Sequence, residues 1–489
     1  MSWEWIIISI YGLSLLFIFF FSLGQLHLTW HYLKALKERK NHVEPIKSTQ
    51  HLPAVCIQLP IYNEKYVVEG LVDSVCAINY PAKLLSIQVL DDSTDETTAI
   101  LQHKIEHWRA KGINIDLIRR PDRKGFKAGA LQYGMEVTKA PFIAIFDADF
   151  LPPSDFLHRT IPQFSDSKVG VVQTRWGHTN KQYSLLTRLQ AFGLDAHFTI
   201  EQVGRNHAGS FINFNGTAGV WRKETIIDAG GWSADTLTED LDLSYRAQLK
   251  GWQFIYKEDV ESPAELPIIM PAIKSQQFRW NKGGAETARK NFGKILKSNL
   301  GFSNKLHAFF HLFNSSIFIA ILITALLSVP MLYIKSKQPA LALLFQIGSV
   351  FLLGFFSIAI FYWVAAKQLS NERFYFIKTF PIFITISMGL SLHNAFAVAE
   401  GLLGFKSAFI RTPKFNLQKG GNESWQQNKY LNLQISWLTV FEAFLAIYFG
   451  FGIWLGIHLA DYGLLIFHFM LMLGYALVFF HSVSPKLKH

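Results

Sequence analysis

The chain has 489 residues, which is too long for one ordinary hydrophobic core. Half of its residues are hydrophobic and only 17% are charged, and the apolar residues gather in long segments, which excludes a purely soluble protein. The net charge of +11 is explained by lysines and arginines facing anionic lipid, so we expect no nucleic-acid partner. Cys56 and Cys76 match no metal-binding spacing and are predicted to be small core residues.

Five segments are apolar enough to cross a bilayer, which takes roughly 20 residues. They are 6–29, 308–334, 340–366, 435–459 and 463–483. A sixth, 380–403, carries His393, Asn394 and Glu400, and is predicted to be re-entrant or interfacial. Because intramembrane polar side chains tend to face a wet or protein interior, we hypothesise that these three line a polymer channel.

The charge pattern predicts the orientation of the chain. Lys34, Lys37, Arg39 and Lys40 follow the first segment, and the positive-inside rule then places the polar region after it in the cytosol. We predict an N-terminal transmembrane helix (1–31), a cytosolic domain ending in amphipathic interfacial helices (32–300) and a C-terminal membrane domain with about four transmembrane helices (301–489). The membrane is either a cell (plasma or inner) membrane or a Golgi membrane.

Strands and helices alternate from residue 55 onward, which predicts an α/β fold with a mainly parallel sheet. The predicted strands are 55–59, 87–90, 113–118 and 142–146. The last is continuously apolar, as expected of a strand buried on both faces, and Asp147 and Asp149 follow it. At the carboxyl edge of a sheet such a pair can hold a divalent cation and, through it, a diphosphate; a plain capping turn is the alternative.

Other polar groups are predicted to reach the same edge. Asp92 can accept from a base or ribose, and Lys127 can meet a phosphate, although a solvated helix start would also explain that lysine. Thr238–Glu239–Asp240 opens a helix, as an N-cap with acids in its first turn or as the site of a general base at Asp240. Arg279 and Trp280 lie in an amphipathic stretch, where an interfacial role is the alternative.

Taken in order, Asp92, Asp147–Asp149, Thr238–Glu239–Asp240 and Gln276-x-x-Arg279–Trp280 resemble the "D, DxD, TED, QxxRW" signature of family 2 glycosyltransferases akin to cellulose and hyaluronan synthases. Within that group, IQVLDDSTD, KAGAL, FIAIFDADF, FNGTAGVWR and RTPKF resemble the plant cellulose-synthase-like A and C subfamilies of mannan and glucan synthases. The likeness covers the chain from residue 53 to about 284. Asn281–Lys282–Gly283 departs from the plant pattern, and regulation by an appended cyclic-dinucleotide-binding domain is not expected.

The resemblance implies a GT-A (nucleotide-diphospho-sugar transferase) fold, inserted between transmembrane helices, that uses a nucleotide sugar with Mg²⁺ or Mn²⁺. It implies that Asp240 is the base, aided by Glu239 and Arg279, and that Asp147 and Asp149 hold the metal. The implied nucleotide-sugar-binding residues are Tyr62, Glu64, Asp92, Lys127, Asp147, Gln276 and Arg279. The implied acceptor-binding residues are Trp280, Phe214, Asn215, Gly216 and Thr217, and a gating loop is expected at 405–432.

Three functions are compared on this basis. The first is an inverting, processive β-glycan synthase that takes hexose from UDP-glucose or GDP-mannose and couples polymerisation to export. The second is a single-addition glycolipid glycosyltransferase, similar to ceramide glucosyltransferases, with a lipid acceptor in place of a glycan. The third, a catalytically silent transporter or assembly subunit, is disfavoured because every polar position of the signature is present. The sequence leaves the oligomeric state open.

Overall fold

The computed structural model describes residues 3–41, 52–338, 341, 348–407, 410–416, 426, 428–431 and 433–487. Its central feature is a seven-stranded sheet in the order β3-β2-β1-β4-β6-β5-β7. The strands are β1 (Val55–Ile61), β2 (Leu85–Asp91), β3 (Ile115–Ile118), β4 (Phe142–Ile145), β5 (Val169–His178), β6 (Gly219–Arg222) and β7 (Gln253–Ala264). Only β6 runs antiparallel to its neighbours, which confirms the mainly parallel α/β prediction.

Both faces of the sheet are covered. Along β4, Phe142 and Ala144 point into one hydrophobic cluster, whereas Ile143 and Ile145 point into the other. The predicted burial on both faces is therefore confirmed. Cys56 and Cys76 are both buried, as expected of small core residues.

Helices fill the connections of the catalytic half. They are α1 (Trp3–Asn41), α2 (Val68–Cys76), α3 (Thr97–Ala110), α4 (Phe126–Val137), α5 (Phe156–Thr160), α6 (Leu185–Ala196), α7 (Gln202–His207), α8 (Lys223–Asp228), α9 (Glu239–Leu249) and α10 (Met270–Lys297). The second half contains α11 (Phe302–Leu312), α12 (Ile317–Lys337), α13 (Leu352–Leu369), α14 (Tyr375–Gly389), α15 (Ser391–Leu403), α16 (Trp437–His458) and α17 (Leu465–Leu487).

Among the described residues, five helical stretches are long and apolar enough to cross a membrane: Trp3–Arg39, Asn314–Lys337, Leu352–Leu369, Trp437–His458 and Leu465–Pro485. They overlap the five predicted segments, although 340 and 342–347 of the third lie outside the described residues. The sixth segment forms α14 and α15, which are bent by 52° where they join. That break distinguishes it from the straight helices, and its re-entrant or interfacial placement stays a prediction.

The polar residues of α15 form hydrogen bonds with α10, the last helix of the catalytic half. His393 Nε2 donates to the Lys274 carbonyl oxygen at 3.0 Å, and Glu400 accepts from Lys282 Nζ at 2.7 Å. Asn394 donates to the side chain of Gln277, which like both lysines lies on α10. These contacts give the three residues a structural role against α10, and the hypothesis that they line a polymer channel stays a prediction.

Candidate active site

The predicted residues converge on a pocket of about 220 Å³ beyond the carboxyl ends of β1, β2 and β4. The start of α9, one face of α10 and residues 410–416, which we call the docked loop, complete its walls. Its lining includes most of the predicted site: Tyr62, Glu64, Asp92, Lys127, Asp147, Asp149, Asn215, Gly216, Glu239, Asp240, Gln276, Arg279 and Trp280. Segments more than 300 residues apart in sequence thus form one site.

Lys127 forms the floor of the pocket from the first turn of α4. Its ammonium donates to Asp147 Oδ1 at 2.6 Å and to the Gly216 carbonyl oxygen at 2.9 Å. Burial acts to lower its pKa, but Asp147 and Glu239 outweigh that effect and raise it, so the lysine is cationic. Gly216 has a φ of +80°, and a Cβ there would lie 2.9 Å from Asp240 Oδ2, so only glycine fits between Asp240 and Lys127.

Asp240 lies in the first turn of α9 and lines the pocket. Burial, strengthened by the adjacent Glu239 carboxylate, raises the pKa of Asp240 to about 7, while Lys127 opposes the shift. A carboxylate with a pKa near neutrality is a stronger base than an exposed one, which suits proton abstraction from an alcohol. Thr238 makes no side-chain capping bond, so the capping alternative does not account for this cluster.

The side of the pocket that Tyr62 and Asp92 line contains two arginine contacts that sequence reasoning did not assign to the site. Arg120 binds both carboxylate oxygens of Asp92, at 2.8 and 2.6 Å. The Arg123 guanidinium lies 3.3 Å from the ring centroid of Tyr62. Both belong to the cationic segment before α4, but only the fold shows which strand end each arginine faces.

An aromatic pair borders the opposite side. Trp280 remains 37% exposed, so one ring face is available, and its centroid lies 6.4 Å from that of Trp176. Trp176 belongs to β5, a strand that the sequence analysis did not predict. Flat aromatic faces of this kind suit the apolar faces of sugar rings.

Two predicted acceptor contacts are corrected. Phe214 is fully buried and packs against Trp221 with ring centroids 5.4 Å apart. Thr217 is also fully buried, and its hydroxyl accepts from the Asp147 backbone N–H at 2.9 Å. They support the loop from the core side, whereas Asn215 and Gly216, which lie between them in the sequence, line the pocket.

The docked loop enters the pocket from the membrane half. Arg411 donates to the Tyr62 carbonyl oxygen at 2.9 Å, and Thr412 Oγ1 accepts from Arg279 Nη2 at 2.7 Å. Lys414 Nζ lies 2.5 Å from Asp149 Oδ2. This segment lies within the predicted gating loop, parts of which (408–409, 417–425, 427 and 432) fall outside the described residues.

Whether a divalent cation fits depends on Asp149. Its buried carboxylate and the neighbouring Glu64 and Glu265 offer the oxygen donors that Mg²⁺ and Mn²⁺ prefer. Among the described residues no three acidic or histidine side chains converge as a ready-made metal site. Lys127 and Lys414 bind Asp147 and Asp149 instead, so the donor chemistry fits a metal once a lysine has moved.

The family model described as "Glycosyltransferase like family 2" matches residues 53–283, which contain the sheet, α9 and the motif on α10. These residues are a family 2 glycosyltransferase domain. The predicted resemblance is confirmed.

Curated relatives resemble the same domain. Probable glucomannan 4-beta-mannosyltransferase 4 of Oryza sativa subsp. japonica is 46% identical over 268 residues, which are 53% of this chain and 49% of the relative. Glucomannan 4-beta-mannosyltransferase 7 of Arabidopsis thaliana is 44% identical over 251 residues, 50% and 45% of the two chains. The chain thus spans about half the length of the curated relatives that it matches.

Among solved structures, the mannosyltransferase PcManGT from Pyrobaculum calidifontis, in complex with GDP-Man and Mn²⁺, matches with a TM-score of 0.55 and 20% identity. The match covers 82% of this chain and all of the other. The glycosyltransferase domain therefore has the GT-A fold that the sequence predicts.

Proposed function

We propose that this protein is a membrane-embedded, inverting hexosyltransferase. It transfers mannose from GDP-mannose to a β-linked glycan. The observation that carries the proposal is the juxtaposition of Asp240, Lys127 and Asp147–Asp149 around one pocket. Mannose is preferred to glucose because the plant relatives are named glucomannan 4-beta-mannosyltransferases and the GT-A neighbour is a mannosyltransferase in complex with GDP-Man. UDP-glucose is the competing donor.

The proposed reaction uses the acceptor hydroxyl as nucleophile. Its oxygen attacks the anomeric carbon of the donor from the face opposite the diphosphate, its proton passes to Asp240, and the sugar–phosphate C–O bond breaks. The nucleoside diphosphate leaves with the bonding electrons, so the anomeric configuration inverts. Lys127 and Arg279 lie where they can balance the charge on the departing diphosphate, and preorganised cations are a large source of rate enhancement.

A divalent cation held by Asp149, with Asp147 close by, would add charge neutralisation at the diphosphate when it is bound. The Trp280 and Trp176 rings are proposed to hold the acceptor end by stacking. Tyr62 and Arg123 are proposed to hold the nucleoside.

Export of the product is supported by a second cavity, of about 990 Å³, inside the membrane half. It reaches from Gly193 and Asn281, which adjoin the active-site residues Leu194 and Trp280, to Lys335 and Asp461 at the other ends of the membrane helices. We propose that the glycan leaves along this route, with the glycosyltransferase domain on the cytosolic side.

The same cavity favours a second candidate. Its walls are mainly apolar side chains of α1, α12 and α13, so it is equally suited to the chains of a lipid acceptor. In that case the enzyme would add a single sugar to a glycolipid.

The deciding experiment uses purified protein in lipid nanodiscs with Mn²⁺ or Mg²⁺ and radiolabelled GDP-mannose or UDP-glucose in separate reactions. Label in high-mass material that a β-mannanase degrades is expected. Label only in organic-extractable lipid would establish the glycolipid candidate instead. Transfer from UDP-glucose alone would overturn the mannose assignment.

A further inference from the structure

Four histidines from three helices meet where α1 packs against the glycosyltransferase domain. Two lie one turn apart on α1 (His27 and His31), one ends α7 (His207) and one lies on α11 (His307). The ring centroids of His27 and His31 are 4.7 Å apart, and those of His31 and His207 are 5.3 Å apart. His307 lies on the other side, with its ring centroid 5.1 Å from that of His27. Of these four described histidines none lines the active-site pocket or the second cavity, so the proposed function does not use them.

The backbones of α1 and α7 are in direct contact beside this cluster. A Cβ at Gly204 of α7 would lie 2.6 Å from the Leu28 carbonyl oxygen of α1, so the approach requires glycine. Two turns further along α1, Arg39 pairs with Glu258 of β7 at 2.7 Å. The relative position of the histidines is therefore fixed by the packing of the helices and not by the histidine rings themselves.

The ring nitrogens of His31 and His207 are arranged as they are in metal sites. Glu38 Oε2 lies 3.1 Å from His207 Nε2. Because an ionised carboxylate can only accept, Nε2 carries the proton of the neutral ring and Nδ1 presents a lone pair. That Nδ1 lies 3.0 Å from Nδ1 of His31. A carboxylate on one ring nitrogen, with the other nitrogen turned towards a second donor, is the arrangement found around metal-ligating histidines.

We propose that His31 and His207 form a binding site for Zn²⁺, with His27 as the third ligand and water completing the coordination. Two nitrogens 3.0 Å apart that each lie about 2.1 Å from one ion subtend roughly 90° at it, so a small separation of the rings gives the tetrahedral angle that zinc prefers. Among the described residues no three histidine or acidic side chains already converge on one point. His27 is exposed, so its ring can turn towards the ion.

The chemistry of this site differs from that of the active-site pocket. Imidazole nitrogens favour Zn²⁺, Ni²⁺ and Cu²⁺, whereas Mg²⁺ and Mn²⁺ favour the carboxylate oxygens that line the pocket. The His207 side chain is 17% exposed, so an ion can enter from solvent. Its coordination bonds would join α1, the first of the helices that could cross a membrane, to α7 of the glycosyltransferase domain. Because the site exists only when the two helices are packed together, zinc binding stabilises that packing.

The first measurement is the zinc affinity of the untagged full chain in nanodiscs, by competition with a fluorescent zinc chelator. Excess Mg²⁺ is present to compete for the carboxylates of the pocket, and no donor is added. His207→Gln and Glu38→Gln are each expected to weaken zinc binding about tenfold or more, through loss of a ligand and of its supporting carboxylate. His103→Gln is the matched control, because His103 is an exposed histidine of α3 and should not contribute.

The second measurement needs no variant. Diethyl pyrocarbonate modifies accessible neutral imidazoles, and mass spectrometry locates the modified residues. In the native chain, Zn²⁺ is expected to suppress modification of His27 and His207 and to leave His103 reactive. Equal zinc affinity in the native chain, His207→Gln and Glu38→Gln would overturn the proposal. Zinc binding that leaves His27 and His207 as reactive as before would also overturn it, since the ion would then lie elsewhere.

Discussion

Two sets of buried charges, one along α10 and the other at the start of α9, are paired in different ways. Lys274 is matched one to one by Glu442 of α16 at 2.7 Å, and Lys282 by Glu400 of α15 at 2.7 Å. In the pocket, by contrast, Asp240 has the like-charged Glu239 beside it, and burial raises the pKa of both carboxyls. The ion pairs fix the position of α10, whereas the two carboxyls of the pocket remain available to interact with a ligand.

The difference shows how the membrane half serves catalysis. α10 carries Arg279 and Trp280, so each ion pair that attaches α10 to α15 or α16 also fixes an active-site side chain. Lys282 belongs to the tripeptide that departs from the plant pattern, and Ser407, at the start of the predicted gating loop, accepts a hydrogen bond from its ammonium. The buried Lys282 therefore contacts both α15, to which it attaches α10, and the start of the predicted gating loop.

The largest effect is expected from a substitution of a carboxyl in the pocket. Asp240→Asn should lower kcat by about 10²- to 10⁴-fold, the range for removal of a general base. Its thermal midpoint should be unchanged or higher, because a like-charged neighbour of Glu239 is removed. Asp259→Asn, at an exposed ion pair with Arg159, is the control and should retain activity. A normal kcat in Asp240→Asn would mean that another group takes the proton.

The next largest effect is expected from a substitution in an ion pair that attaches α10 to the membrane helices. Lys274→Met should destabilise the protein by about 3–5 kcal/mol, because Glu442 would remain buried without its partner. Denaturation in detergent measures the loss, and Lys250→Met is the control, since its pair with Asp228 is exposed and worth about 0–1 kcal/mol. Lys274→Met with Glu442→Leu should recover much of the stability. A double variant as unstable as the single one would contradict the pairing.

The pH dependence sharpens the comparison. Asp240 must be ionised to accept a proton, so with its pKa raised to about 7 the rate should increase about tenfold between pH 6 and pH 8. Stability should change in the opposite direction. Its carboxyl ionises more easily in the unfolded chain, so the folded state loses stability as pH rises from about 4 to about 7. A pH-independent rate across this range would contradict the raised pKa.

Much of the pocket could be predicted because its residues follow strands or open a helix. Asp147 and Asp240 are recognisable from local pattern, and parallel strands bring their ends to one edge. Trp176 could not be found, because β5 pairs with strands far away in sequence. Phe214 and Thr217 were misassigned because a motif does not specify which of its side chains face the core.

The polar residues of α15 show the same limit in the membrane half. The rule that intramembrane polar groups face water or protein correctly indicates that His393 and Glu400 avoid lipid. It does not choose between a channel and a neighbouring helix, and α10 is the neighbour that they contact. Lys414 is similar: the loop was expected, but its contact with Asp149 depends on three-dimensional placement.

The smallest effect is expected at the contact between the docked loop and Arg279, a residue of α10 that faces the pocket. Thr412→Val keeps the shape of the docked loop but removes the oxygen that accepts from Arg279. The loss of a hydrogen bond from a charged guanidinium weakens docking of the loop by roughly 1 kcal/mol. Because the docked loop occupies Arg279, which the proposed function gives to the diphosphate, the KM for the nucleotide sugar should fall about fivefold while kcat stays within about twofold. Ser336→Ala, an exposed hydroxyl on α12, is the control and should change neither constant. A higher KM in Thr412→Val would mean that the loop helps to bind the donor, and Arg279 would then need Thr412 during the reaction as well as before it.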